Sequence, residues 1–171
     1  RLEDVFGQVD ALELANGNLL AVWHSEASID DETDDGANEL RGSLFSRSGT
    51  VLKSDFGIAK LEGGAGDSPD PFSVTALKNG GFALVRYETV NVQRNDFTYD
   101  VKMQLFSGTG AATSREITVH AATRGIIYSV DAVQLATGEI VVVWQTPSST
   151  DFPYDDVMGR MYDSSGNALT G

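Results

Sequence analysis

A short pattern occurs three times along this chain and constrains its fold more than any other feature. A leucine is followed by two residues and a glycine, and then by an apolar run of strand-forming residues. The three glycines, Gly17, Gly80 and Gly138, are about 63 and 58 residues apart, and such a spacing is the signature of a repeat architecture. The predicted repeats comprise residues 1–66, 67–124 and 125–171.

Each repeat is predicted to form short antiparallel strands. In the first repeat, strands at 9–14 and 19–23 flank an Asn-Gly pair, which is a strong hairpin signal. A third strand at 40–45 alternates with period two, ends at a second glycine turn, and precedes a fourth strand at 51–61. The equivalent strands are predicted at 72–77, 82–86, 101–106 and 114–122 in the second repeat, and at 130–135, 140–144 and 157–162 in the third. The third repeat is therefore expected to be incomplete.

Four short strands in about 60 residues, without helical periodicity, are typical of a β-propeller blade. We therefore predict an all-β fold in which three four-stranded antiparallel repeats are blades of a propeller. Known propellers have roughly four to eight blades, so a second copy of the chain, or the remainder of a longer chain, is expected to complete the ring. The segment 2–6 could supply the missing strand. The alternative fold is a three-sheet β-prism, which would close as a monomer.

The charge of the chain limits its partners. The formal net charge is −13, and nucleic acids and anionic membrane surfaces would repel such a protein. No apolar run approaches the ~20 residues of a membrane-spanning helix. The chain has no cysteine, which excludes disulfides and thiolate metal sites and suits a bacterial protein that is secreted without oxidative folding. We expect neither a nucleic-acid partner nor a membrane span.

Three segments carry a resemblance to a known group of repeats. Residues 77–82 read LKNGGF, residues 141–145 read VVVWQ, and residues 159–166 read GRMYDSSG. They resemble the tandem repeats of very large secreted bacterial proteins, often of the calcium-binding, adhesin-like RTX type. The resemblance implies a propeller-like repeat and a location outside the cell or on its surface. Arg86 stands where the pattern has tryptophan, and the glycine-rich calcium nonapeptides of such proteins are absent.

An acidic loop follows the second predicted strand and is a candidate calcium site. Carboxylate oxygens are the ligands that Ca²⁺ prefers, and four aspartates are close together here: Asp30, Asp31, Asp34 and Asp35. Their spacing does not match the helix-loop-helix calcium pattern. We favour the alternative that the loop is a solvated acidic surface. Further oxygen donors of the three loops are Glu26, Glu32, Glu39, Asn91, Asn95, Asp96, Asp100, Asp151, Asp155 and Asp156.

The aromatic and histidine side chains have two interpretations each. Trp23 and Trp144 occupy equivalent positions at the ends of apolar strands, and core packing is favoured over sugar stacking. Four residues near strand ends are alternative stacking platforms for a glycan: Tyr87, Tyr99, Phe152 and Tyr154. The two histidines, His24 and His120, lack the spacing of a zinc site and are interpreted as incidental.

Three functions are compatible with these patterns. A non-catalytic extracellular module that binds or scaffolds a glycan or protein partner is favoured, because repetition and acidity both suit it. A carbohydrate-binding, lectin-like propeller is the second hypothesis. The third is a glycan-acting hydrolase with catalytic acids at the central opening, and these acids would have to break the symmetry of the repeats. No nucleophile elbow or phosphate loop is present, so no catalytic residue is assigned.

Overall fold

The computed structural model describes residues 5–25, 38–61, 71–93, 96–124, 129–147 and 155–170, and this part of the chain consists of three antiparallel sheets. Sheet 1 contains β1 (Val5–Glu13), β2 (Leu19–Ser25), β3 (Asn38–Phe45) and β4 (Val51–Leu61). Sheet 2 contains β5 (Phe72–Ala76), β6 (Phe82–Gln93), β7 (Asp96–Phe106) and β8 (Ile117–Arg124). Sheet 3 contains β9 (Val130–Gln134), β10 (Ile140–Pro147) and β11 (Asp155–Tyr162). In each sheet, neighbours in sequence are neighbours in space.

The same glycine turn occurs at both of the predicted turn positions in every repeat. In the first turn the Leu14 amide donates to the Asn18 carbonyl, and the Gly17 amide donates to the Leu14 carbonyl, both at 2.8 Å. The equivalent pair of bonds recurs at the other five glycine turns, and all six glycines have a positive φ. The repeated turn fixes the register of the flanking strands.

Each sheet has two faces, which we name by β2 and its equivalents. The front face carries Leu19, Phe82 or Ile140, and the back face carries the residue that follows each of these, because side chains alternate along a strand. One hydrophobic core joins the back face of sheet 1 to the front face of sheet 2. A second core joins the back face of sheet 2 to the front face of sheet 3. The sheets are therefore stacked in one direction, back to front.

The first strands of the sheets lie side by side. Strand β5 contacts both β1 and β9, as expected for the innermost strands of successive propeller blades. Among the described residues, no hydrophobic core joins sheet 1 to sheet 3, which a closed three-sheet prism would require. The all-β fold with propeller-like blades is confirmed, and the prism alternative is wrong.

The N-terminal segment and two of the strands differ from the sequence-based predictions. Val5 pairs with Ser25 in sheet 1, so this end of the segment 2–6 extends β1 and does not complete sheet 3. Residues 2–4 lie outside the described residues. Strands β6 and β7 are longer than predicted, because Thr89 still pairs with Tyr99 and the pairing continues to Gln93 and Asp96. In the stretches that the structure describes, no helix is long and apolar enough to cross a membrane.

Candidate functional site

Polar side chains bridge the innermost strands of sheets 1 and 2. The Gln8 Nε2 donates to the Phe72 carbonyl at 2.7 Å, and its Oε1 accepts from the Phe72 amide at 3.3 Å. The Asp10 Oδ2 accepts from the Val74 amide at 3.4 Å. Because β5 uses only one of its edges to pair with β6, its other edge is free to make these bonds to β1. The side chains of β1 therefore satisfy backbone groups of the next sheet.

The same seam continues between sheets 2 and 3. The Ser73 Oγ donates to the Asp131 Oδ1 at 2.7 Å, and the Lys78 amide donates to the Gln134 Oε1 at 2.7 Å. The Lys78 Nζ also donates to the Ala136 carbonyl. We call these bridging residues the axial seam, which consists of Gln8, Asp10, Ser73, Lys78, Asp131 and Gln134. It joins all three sheets along the line where a propeller has its central axis.

The axial seam repeats a carboxylate position. Asp10, Ser73 and Asp131 are equivalent residues, each four positions before the leucine of its turn. The Oδ1 of Asp10 accepts from the next amide at 2.8 Å, and that of Asp131 does the same at 2.8 Å. Both aspartates therefore have the same local geometry, and each accepts hydrogen bonds from protein donors. This arrangement positions neighbouring sheets against each other.

A buried cluster of charges lies on the front face of sheet 2. Two cations and three carboxylates form it, and we call it the charge cluster: Arg86, Glu88, Asp100, Lys102 and Glu116. The Arg86 guanidinium is 2.6 Å from Glu116 Oε2 and 3.2 Å from Glu88 Oε1. The Lys102 Nζ is 3.1 Å from Asp100 Oδ2 and 3.9 Å from both Glu88 and Glu116. It also donates to the Thr118 hydroxyl at 3.1 Å.

The register of three strands assembles the charge cluster. Arg86 on β6 pairs with Lys102 on β7, and Glu88 pairs with Asp100 one step further along the same face. Arg86 is only 5% exposed, because it follows Phe82 and Leu84 on the face that packs against sheet 1. Removing such charges from water is costly unless they are paired, and every member has an opposite charge within 4 Å. The cluster neutralises itself almost completely.

Sheet 1 carries a smaller version of the charge cluster at equivalent positions. Arg41 lies 2.8 Å from Glu39 and 2.6 Å from Asp55, and these three residues correspond to Lys102, Asp100 and Glu116. The hydrogen bond that Arg41 donates to Asp55, together with the charges of both neighbouring carboxylates, raises the pKa of Arg41 above its ordinary value. These side chains lie on the front face of sheet 1, and they are more exposed than the charge cluster of sheet 2.

Both tryptophans and two of the tyrosines are core residues. Trp23 and Trp144 are buried, which confirms the predicted packing role. Tyr87 and Tyr99 are also buried, with their rings 5.4 Å apart in an edge-to-face contact, so the prediction that they could stack on a glycan is wrong. Their strands extend beyond the predicted ends, which removes them from the loop. Phe152 and Tyr154 lie outside the described residues.

The histidines occupy two different environments. His120 on β8 lies against Trp144 of sheet 3, with 5.3 Å between the ring centres, and so contributes to the packing between sheets. His24 is buried, and its Nδ1 has no hydrogen-bond partner among the described atoms. Within the part of the chain that the structure describes, no three histidine, aspartate or glutamate side chains could hold a metal ion together.

The candidate calcium residues Asp30, Asp31, Asp34 and Asp35 lie outside the described residues, so that prediction stays a prediction. Two acids that were grouped with the acidic loops have other roles. Glu39 pairs with Arg41, and Asp100 pairs with Lys102 across neighbouring positions of β7. Both are strand residues that face cations, and neither is a loop ligand.

The axial seam was missed in the sequence, although a signal for it exists there. The pattern Asp-Ala-x-x-Leu occurs at residues 10–14 and again at 131–135, directly before the first turn of the first and third repeats. The charge cluster left a weaker signal, the replacement of tryptophan by Arg86. Its partners come from three strands, and only the register brings them together.

Comparison with known proteins gives the fold but no family. No protein-family model matches the chain, and no curated protein matches it. A solved structure of a thermostable family-43 glycoside hydrolase, a five-bladed propeller, is similar over 95% of this chain, with a TM-score of 0.51 and 8% sequence identity. The match covers 53% of that structure, so this chain spans about half its length. The similarity supports propeller blades.

Proposed function

We propose that this chain is a non-catalytic binding or scaffolding module of a bacterial protein that is secreted or displayed on the cell surface. The resemblance to secreted repeats supports this location, and a chain without cysteine is compatible with it. The ligand is a glycan or a protein, bound by the loops that join the second and third strands of each repeat. The repeated sheets serve as the rigid support for these loops.

One observation carries the non-catalytic part of the proposal: the carboxylates between the described sheets are already engaged by protein donors. Glu88, Asp100 and Glu116 face Arg86 or Lys102, while Asp10 and Asp131 accept backbone or hydroxyl hydrogens. A general acid of a glycosidase needs an environment that keeps its proton, such as an apolar pocket. The carboxylates between these sheets are instead held by ion pairs and hydrogen bonds within the protein.

The test combines a binding assay with a turnover assay on the same preparation. The labelled chain is applied to a glycan array and to a panel of chromogenic glycosides, beside Glu88→Gln and the surface control Asp156→Asn. We expect no hydrolysis by any of the three proteins. Saturable binding of one glycan class would establish that the module is lectin-like. Turnover by the wild type that Glu88→Gln abolishes would contradict a non-catalytic role.

A glycan-acting hydrolase is the second candidate, and one feature favours it. The charge cluster breaks the symmetry of the repeats, since Arg86 replaces a tryptophan and places three carboxylates around two cations. The solved structure with a similar fold is itself a glycoside hydrolase. This candidate requires a substrate to reach Glu88, which is buried beneath sheet 1. The turnover assay above decides between the two.

A further inference from the structure

Both outer faces of the three-sheet stack expose apolar side chains that no described residue covers, while Trp23, further along the front face of sheet 1, is 4% exposed. The front face of sheet 1 presents Leu19, and its β3 partner Phe45 lies on the same face. These residues, with Ala21, line a shallow apolar groove. At the other end of the stack, the back face of sheet 3 presents Val143 and Val157. Exposed apolar side chains that adjoin one another can mark an interaction surface.

The positions inside the stack that are equivalent to these exposed residues are fully buried, as the exposed fractions of the side chains show. Leu19 is 42% exposed, whereas its equivalents Phe82 and Ile140 are 0% exposed in the front faces of sheets 2 and 3. The back faces give the same result. Val157 is 77% exposed, whereas its equivalents Leu40 and Val101 are 0% exposed.

Val143 repeats the pattern in the middle of the back face. It is 37% exposed, and its equivalents Val22 and Val85 are 0% exposed. The outer faces are therefore the two uncovered halves of an interface that the chain already forms twice. One half is a front face, the other half is a back face, and each lacks the partner that the inner sheets have.

The polar contacts at the edge of the interface also have counterparts on the outer faces. Between sheets 2 and 3, Gln134 accepts the amide hydrogen of Lys78. The residue equivalent to Gln134 in sheet 1 is Glu13, whose exposed carboxylate is also an acceptor. The ion pairs of Arg41 lie on the front face of sheet 1. The charge cluster occupies the equivalent place on the front face of sheet 2, which packs against sheet 1.

We propose that the front face of sheet 1 binds the back face of sheet 3 of a second copy of this chain, and that two copies close a six-bladed ring. Each copy supplies one face of each kind, so a two-fold arrangement forms two identical new interfaces and leaves no face uncovered. Six blades lie within the range of four to eight that propellers adopt. This inference concerns assembly and does not depend on the proposed function.

The mass in solution tests the ring. Light scattering of the whole chain is expected to give twice the 18.3 kDa of one copy. Leu19→Glu places a charge on the front face of sheet 1, Val143→Glu and Val157→Glu do so on the back face of sheet 3, and each is expected to give a monomer. Ala111→Glu is the matched control, because it adds the same charge to an exposed loop of sheet 2. It is expected to remain a dimer.

Mixing the variants tests which faces meet. Leu19→Glu retains a good back face and Val143→Glu retains a good front face, so an equimolar mixture is expected to form a one-to-one dimer through a single interface. Circular dichroism melting checks that each variant is folded, and Val157→Glu replaces Val143→Glu if the latter is not. A wild-type monomer, as when blades of a longer chain cover these faces, would overturn the proposal. So would open polymers, or a dimer that survives in either single variant.

Discussion

At the scale of single residues, Arg86 determines the character of the interface between sheets 1 and 2. A tryptophan at the equivalent place in sheet 3 packs against His120. The guanidinium instead faces Glu88 and Glu116 in a site with little access to water. A buried ion pair contributes little in comparison with good apolar packing, but removing one partner leaves the others desolvated and unpaired.

We therefore expect Arg86→Leu to lower the free energy of unfolding by about 3 kcal/mol. The exposed Arg47→Leu is the matched control, since it makes the same chemical change on a turn, and its effect should stay within about 0.5 kcal/mol. Urea denaturation of both variants measures the difference. Equal effects of the two changes would mean that the ion pairs of Arg86 contribute no more to stability than an exposed arginine does.

Asp163 gives a prediction about pH. Its Oδ1 accepts from the amides of Ser165 and Asn167, and its Oδ2 accepts from the Asn167 side chain at 2.8 Å. The side-chain bond from Asn167, followed by the backbone bonds, lowers the pKa of Asp163 below its ordinary value of 3.8. A carboxyl whose pKa is lowered by folding stabilises the fold above its unfolded pKa and loses that contribution as the pH falls through the folded value.

We expect Asp163→Asn to lower the melting temperature at pH 6, because the charged acceptor is lost. The difference in melting temperature between variant and wild type should begin to narrow as the pH falls below 3.8, and it should close as the pH passes through the lower folded pKa of Asp163, where the carboxylate of the folded wild type becomes neutral. Thermal melts from pH 6 to pH 2 measure it, with the exposed Asp156→Asn as the control. A gap that is independent of pH would refute a role for the charge.

The residues of the two sites were predictable to different degrees. The recurrence of Asp10 and Asp131 is visible in the sequence, because equivalent strands repeat equivalent roles. The charge cluster was not predictable beyond Arg86. Its members lie between 2 and 30 positions from Arg86 in the chain, and a bulge between β7 and β8 alters the register that brings Glu116 to the site. A pattern of apolar and polar residues contains no information on such a shift.

At the scale of elements, the glycine turns combine a local and a long-range constraint. Gly49 and Gly110 occupy the same repeat position and have positive φ values of 84° and 75°. A side chain at Gly49 would meet nothing within 4 Å. A Cβ at Gly110 would lie 2.7 Å from the Phe56 ring of sheet 1. The second turn is therefore also a contact surface between sheets.

We expect Gly49→Ala to cost about 1 kcal/mol, the penalty of a left-handed conformation for a residue with a Cβ. Gly110→Ala should cost a further 1–3 kcal/mol, approximately the cost of overpacking against a ring that cannot move freely. Urea denaturation measures both variants. Because the backbone penalty is common to the pair, their difference reports the contact with Phe56, and equal losses would show that the two sheets can separate there without cost.

Most strand boundaries followed from the sequence because two periodic signals agree. The period-two pattern gave the strands, and the glycine turns gave their ends, so that β4 matches its predicted span of residues 51–61. The extension of β6 to Gln93 was missed because its outer half contains polar residues, which are common in both strands and loops. Backbone pairing with β7 determines how far β6 extends. Such pairing involves two segments, so it cannot be predicted from the sequence of one of them.

At the scale of the whole molecule, the net charge of −13 opposes the compact state by self-repulsion. Added salt should therefore raise the melting temperature by screening, whichever cation is used. The solvated-loop hypothesis predicts equal melting in calcium and magnesium chloride at the same ionic strength. An additional rise in calcium alone, lost when Asp30, Asp31, Asp34 and Asp35 become asparagine, would instead establish the calcium site.

The one-way stacking of the sheets has a consequence for how such a protein can evolve. Because the backs of sheets 1 and 2 each meet the front of the next sheet, a duplicated repeat inserted between two others would find a compatible neighbour on both sides. A single genetic duplication of about 60 residues can thus add a blade without a new kind of interface. The number of blades can change in whole steps, while selection acts separately on each loop.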